Sequence, residues 1–94
     1  MYIWNMDTVH LIIKGRVQGV FFRARAKEIA EKYEITGWIK NTPDEKVEAM
    51  IYGPSNKVKQ FIEWCKTGPE RAKVEEVIVS NLPEIKFDKF EVIG

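Results

Sequence analysis

Between residues 9 and 33 the spacing of apolar side chains changes from every second residue to every third or fourth, across a short loop with two glycines. Val9, Leu11 and Ile13 alternate with His10, Ile12 and Lys14, which predicts a strand over 8–14. Apolar residues on both of its faces make it an interior strand. Phe22, Ala26, Ile29, Ala30 and Tyr33 then recur at helical spacing, with Arg25, Lys27, Glu28, Glu31 and Lys32 opposite, predicting a helix from Phe21 to about Tyr33. The joining stretch, Gly15 to Arg23, reads GRVQGVFFR. A loop that enters a helix this way is a recipe for holding an anion. Its N–H groups can converge on phosphate oxygens, the helix start adds partial positive charge, and the Arg23 guanidinium can clamp a phosphate bidentately. The glycines supply the positive φ or close backbone approach that such a curl requires.

The strand-then-helix order then repeats. Residues 35–41 alternate around Ile35, Gly37 and Ile39, Thr42-Pro43-Asp44-Glu45 makes a turn, and Lys46–Tyr52 is the partner strand of a hairpin. Gly53-Pro54-Ser55 breaks that strand and offers Ser55 as N-cap of a second helix over 56–66, whose buried stripe is Val58, Phe61, Ile62 and Cys65. Thr67-Gly68-Pro69 stops the helix. A strand over 73–80, a turn at Asn81-Leu82-Pro83 and a closing strand over 87–93 complete the chain. The expectation is an α+β, ferredoxin-like βαββαβ sandwich: an antiparallel sheet, two helices on one face and a short extra C-terminal strand. Residues 1–7 are expected to form an N-terminal tail anchored by Tyr2 and Trp4, and residues 8–94 a single domain.

Charge narrows the function. The formal net charge is +1, with acids and bases interleaved. No basic stripe points to nucleic acid and no basic amphipathic helix to a membrane surface. Apolar runs are too short to span a bilayer, the first residues lack the pattern of a secretory signal, and one cysteine forms no internal disulfide. Cytoplasm is the expected compartment. A lone His10 on a strand and Cys65 on a buried stripe both read as structural. Asp44 and Glu45 alone are a poor cation cage, so neither a metal nor another cofactor is expected.

The loop string resembles the phosphate-binding loop of the acylphosphatase family, G-x-V-Q-G-V-x-F/Y-R, and Gly15, Val17, Gln18, Gly19, Val20, Phe22 and Arg23 meet every fixed position. The family's second signature is met by Gly37-Trp38, Lys40-Asn41, Val47 and Gly53, with two departures. Ile39 stands where a smaller residue is usual, and Glu45 replaces a glycine of the hairpin turn. If that glycine adopts positive φ, Glu45 implies a strained or different turn. Gly68-Pro69, Ala72 and Val74 are also similar to a third family segment, so the resemblance runs from Val9 almost to the end.

The resemblance implies the ferredoxin-like fold and an activity, hydrolysis of the carboxyl-phosphate bond of small acyl phosphates. It assigns Arg23 to clamp the phosphoryl group, the backbone N–H groups of Arg16, Val17, Gln18, Gly19 and Val20 to cradle it, and Asn41 to position the attacking water. The residues are chemically sufficient for that. The loop holds no obvious covalent nucleophile or general acid, but phosphoryl transfer is mostly positioning and charge stabilisation. A leaving carboxylate, with a pKa of roughly 4 to 5, departs unprotonated. The implied partners are a small acyl phosphate and inorganic phosphate as product and inhibitor, with a monomer as the simple expectation. The alternative is a catalytically silent ferredoxin-like module that binds an anion or a partner protein. An RNA-binding variant of the fold wants stacking aromatics on a central strand, where Glu48 and Met50 stand instead.

Overall fold

β1 (Met6–Arg16) is the strand around which the sheet is laid. It pairs antiparallel with β3 (Val47–Pro54) on one side and β4 (Lys73–Leu82) on the other, the interior position its two apolar faces require. The computed structural model describes residues 5–94, so the expected anchors Tyr2 and Trp4 lie outside the described residues. Within them β1 begins at Met6, and Met6 and Asp7, expected in the tail, pair with Pro54 and Gly53 of β3.

β2 (Thr36–Asn41) pairs antiparallel with β3 as the predicted hairpin, and β5 (Phe90–Ile93) adds to its outer edge. The strand order is β4-β1-β3-β2-β5. The four main strands are antiparallel, while β5 runs parallel to β2, so the sheet is mixed. Geometry explains the exception. The chain leaves β4 beside Thr8, crosses that end of the sheet through Ile85, and must turn back to pair at all. Thr8 Oγ1 fastens the crossing by donating to the Ile85 carbonyl at 3.2 Å and accepting from its N–H at 3.0 Å. The returning strand therefore points the same way as β2, which starts at that end.

α1 (Phe22–Lys32) and α2 (Ser55–Thr67) cover one face. Their predicted stripes, Phe22, Ala26 and Ala30 on α1 and Val58, Phe61 and Cys65 on α2, are buried in one cluster with Val9, Leu11 and Ile13 of β1. Cys65 is wholly buried, and burial pushes its thiol pKa up, which keeps it an inert core group. Ser55 is not the N-cap of α2. Pro54 takes that position, while the Ser55 hydroxyl and N–H both donate to the Asn5 carbonyl at 3.0 and 2.9 Å, tying the start of the described chain to the helix. No helix of the described residues is long and apolar enough to cross a membrane.

His10, Ile12, Trp38, Lys40, Glu48 and Met50 point away from the helices by the same pairing register. His10 Nε2 lies 2.7 Å from Glu48 Oε2, and Lys40 Nζ lies 3.6 Å from Glu48 Oε1. His10 is a partner in a surface cluster on the face opposite the helices, in line with its structural reading.

Candidate functional site

The N-terminal ends of β3 and β4 and the C-terminal ends of β1, β2 and β5 all lie at one end of the sheet, and there the loop of residues 15–21 leaves β1. The loop begins at an irregularity in the β1–β4 pairing between Lys14 and Gly15. Gly15 adopts φ 125°, and a Cβ there would stand 2.2 Å from the Lys73 carbonyl oxygen, so only glycine lets the chain turn this close to β4. Gly19 is left-handed, at φ 73°, and Phe21 at the N-cap of α1 is left-handed as well, at φ 65°. Among the described residues, no side chain caps α1. Among the described residues, no protein acceptor takes the N–H groups of Val17, Gln18, Gly19 or Val20. A run of loop donors feeding an uncapped helix start is a concave field for an anion.

Val17, Gly19, Arg23 and Asn41 line a single cleft of about 450 Å³. Arg16 and Gln18 line a separate recess with Glu45, and Val20 is buried in the core and also lines a third cavity. Of the seven residues singled out from sequence, four therefore meet in one cleft, and three belong to the same loop but face elsewhere. Phe21, Lys27 and Val92 also line the cleft. Sequence reading missed these. Val92 carries no local signal, whereas Phe21 could have been noticed as a large apolar residue in a tight loop.

Arg23, in the first turn of α1, is held from across the molecule. Its Nη1 donates to the main-chain oxygens of Ile93 and Gly94, each at 3.2 Å. Only Nη1 is engaged in this way among the described residues, so the contact orients the guanidinium while its other donors stay available. Asn41 is the last residue of β2, paired with Val47, and shares the helix-side register of Gly37 and Ile39. Its Oδ1 is buried and has no hydrogen-bond partner among the described residues. A buried, unpaired amide oxygen is uncommon in native structures and marks a place where a further donor, such as water, is wanted.

Loop and hairpin are tied together by Gln18. Its Nε2 donates to the carbonyls of Thr42 and Lys46, both at 2.8 Å, and so joins the anion loop to the turn just beyond Asn41. The turn closes on itself: Thr42 N–H donates to the Lys46 carbonyl at 2.9 Å, and Lys46 N–H to Thr42 Oγ1 at 3.0 Å. Hydrogen bonds from Lys46 and Thr42 hold the Asp44 carboxyl below its ordinary value, at about 2, so it is ionised throughout the neutral range.

Glu45 keeps the left-handed conformation that a glycine would take without cost, at φ 67°. The turn geometry is thus retained and the strain accepted. A non-glycine residue there costs about 1–2 kcal/mol, against roughly 0.4–1 kcal/mol of extra unfolded-state freedom that a glycine brings. Glu45→Gly is expected to raise stability by about 0.5–1 kcal/mol, or about 2–8 °C in Tm for a domain this size. Thermal unfolding checks it, and a Tm at or below that of the wild type would show that Glu45 is not strained.

The chain is similar to known proteins over most of its length. The sequence profile of the Acylphosphatase family matches residues 9–92. An acylphosphatase of Syntrophus aciditrophicus is 40% identical over 89 residues, covering 94% of this chain and 93% of that protein. One of Pyrobaculum islandicum is 55% identical over 71 residues, covering 74% and 75%. Among solved structures, an acylphosphatase from Coxiella burnetii superposes with a TM-score of 0.91 at 32% identity, covering 95% of this chain and 94% of that one.

Proposed function

The chain belongs to the acylphosphatase family and hydrolyses acyl phosphates to a carboxylate and inorganic phosphate, and on that premise we propose that the reaction runs in the cleft between Arg23 and Asn41. The observation that carries the proposal is that Asn41 and Arg23 line one cleft at the mouth of the anion loop. The loop N–H groups of Arg16 to Val20 and the guanidinium receive the phosphoryl oxygens. The Asn41 amide oxygen accepts a hydrogen bond from the attacking water and aims its lone pair at phosphorus. The water oxygen–phosphorus bond forms as the bond from phosphorus to the acyl oxygen breaks, and the electron pair leaves on the carboxylate. The carboxylate needs no proton at neutral pH, so no general acid is required. An amide is too weak a base to take the water's proton, which passes to a phosphoryl oxygen. Catalysis then comes from orientation and from fixed positive charge around the loose phosphoryl group.

Among the described residues, no three His, Cys, Asp or Glu side chains gather to hold a metal ion, and the roles above call for none. We therefore expect turnover of a simple aromatic acyl phosphate in the presence of EDTA, competitive inhibition by inorganic phosphate, and a specific activity independent of enzyme concentration, as a monomer requires. Loss of turnover on chelation would overturn the metal-free mechanism. Phosphate binding without turnover would return the chain to the silent anion-binding reading.

A further inference from the structure

Phe21 is a large aromatic side chain that the fold does not account for. It is 69% exposed, so burial does not repay its place in the loop. Its backbone is left-handed at φ 65°, a region costly for a bulky residue and free of cost for glycine. A conformation that is costly, and not repaid by packing, persists where a function retains it. Phe21 lines the cleft that holds Arg23 and Asn41.

That cleft is larger than the reacting group. It encloses about 450 Å³. A phosphoryl group fills on the order of 100 Å³, taking each oxygen as about the 30 Å³ that a liquid water claims. With the phosphoryl end held by Arg23 and the loop, the remaining space is where an acyl group lies, and Phe21 and Val92 are its apolar surfaces. Val92 is itself 40% exposed, on the helix-side register of β5 opposite Ile39. Among the described residues no Asp or Glu side chain lines the cleft, and the charged side chains there are Arg23 and Lys27, which repel an acyl group bearing an ammonium.

We propose that Phe21, backed by Val92, is the specificity-determining wall for the acyl group and selects uncharged aromatic or bulky aliphatic acyl phosphates over small ones. The assignment rests on the phosphoryl end being held as described under Proposed function. Contact with the acyl group persists from bound substrate to transition state, because the acyl carbon skeleton changes little as the distant oxygen–phosphorus bond breaks. Such uniform binding acts on KM and leaves kcat alone.

The test compares benzoyl phosphate with acetyl phosphate in the wild type, Phe21→Ala, Phe21→Leu and Arg23→Ala. Phe21→Ala should lower the preference for benzoyl over acetyl phosphate, measured as the ratio of kcat/KM values, by about three- to tenfold, through the KM for benzoyl phosphate, the scale of one aromatic contact. Phe21→Leu should retain an intermediate preference, since it keeps an apolar wall without the ring, and it guards against a loop disordered by loss of the side chain. Inhibition by phosphate should persist in both, because phosphate lacks the acyl group. A preference unchanged in Phe21→Ala would overturn the wall. Equal losses on both substrates accompanied by lost phosphate inhibition would also overturn it, because Phe21 would then act on the loop. Arg23→Ala separates the two readings: full turnover of both substrates without Arg23 would overturn the underlying site, whereas a lost turnover there beside an unchanged preference in Phe21→Ala would overturn the wall alone.

Discussion

Arg23→Ala is expected to lower kcat/KM for an acyl phosphate by a factor of a hundred or more while leaving the chain folded. The magnitude is that of losing one preorganised group aimed at charge that develops in the transition state. Two features of the residue raise it toward the upper end. Arg23 is the guanidinium of the cleft, where the only other charged side chain among the described residues is Lys27 on the following turn of α1. It is also positioned before substrate arrives, by the main-chain oxygens of Ile93 and Gly94, so no substrate binding energy goes into ordering it. Because the arginine meets the phosphoryl oxygens both before and during transfer, KM and the inhibition constant for phosphate should rise together with the fall in kcat. Arg23→Lys should recover only part of the loss, since an ammonium keeps the charge but not the planar fork. The loss of two exposed hydrogen bonds costs about 1 kcal/mol each or less, too little to unfold the domain. A folded Arg23→Ala protein that hydrolyses substrate within tenfold of the wild type would remove Arg23 from the chemistry.

What the sequence made legible follows from the range of the forces involved. Strand alternation and helix stripes are local consequences of burial, so Val9, Leu11 and Ile13, and Phe22, Ala26 and Ala30, could be placed in a core before any coordinates. The loop was legible for a related reason: its chemistry is carried by backbone donors and glycines that lie next to one another. The direction of β5 was not, because it depends on which end of the sheet the chain crosses, and that is settled by a Thr8–Ile85 contact 77 residues apart. The anchoring of Arg23 was equally hidden. Its acceptors are main-chain oxygens, which every residue carries and which leave no signature in side-chain identity. Gln18 shows the mixed case. Its side chain bridges to Thr42 and Lys46, a positioning role invisible in a motif that marks the residue only as part of the cradle. Glu45 was legible as a departure, but only the backbone angle reveals that the turn keeps its shape and carries the strain.

Asn41→Ala should separate binding from chemistry. If the amide oxygen holds the attacking water, its removal leaves Arg23 and the loop donors in place, so the inhibition constant for phosphate should change less than about threefold. The rate of the chemical step should nonetheless fall about a hundredfold, the cost of losing one preorganised hydrogen-bonding group at the reacting centre. Stability gives a second and independent reading. The Asn41 Oδ1 makes no hydrogen bond to the described residues, so its loss removes no intramolecular hydrogen bond from the fold. Alanine removes that acceptor at the end of β2, where Gln18 and the Thr42–Lys46 turn hold the backbone without the help of the Asn41 side chain. The variant should therefore unfold within a few degrees of the wild type while being nearly inactive. A residue kept for its chemistry behaves in this way. A residue that only shapes the turn behaves in the opposite way: its loss lowers Tm, and activity falls merely in proportion to the unfolded fraction. Thermal unfolding and single-turnover rates on the same preparation decide between them, and a lowered Tm with a rate within tenfold of the wild type would assign Asn41 to the turn and leave the water unheld.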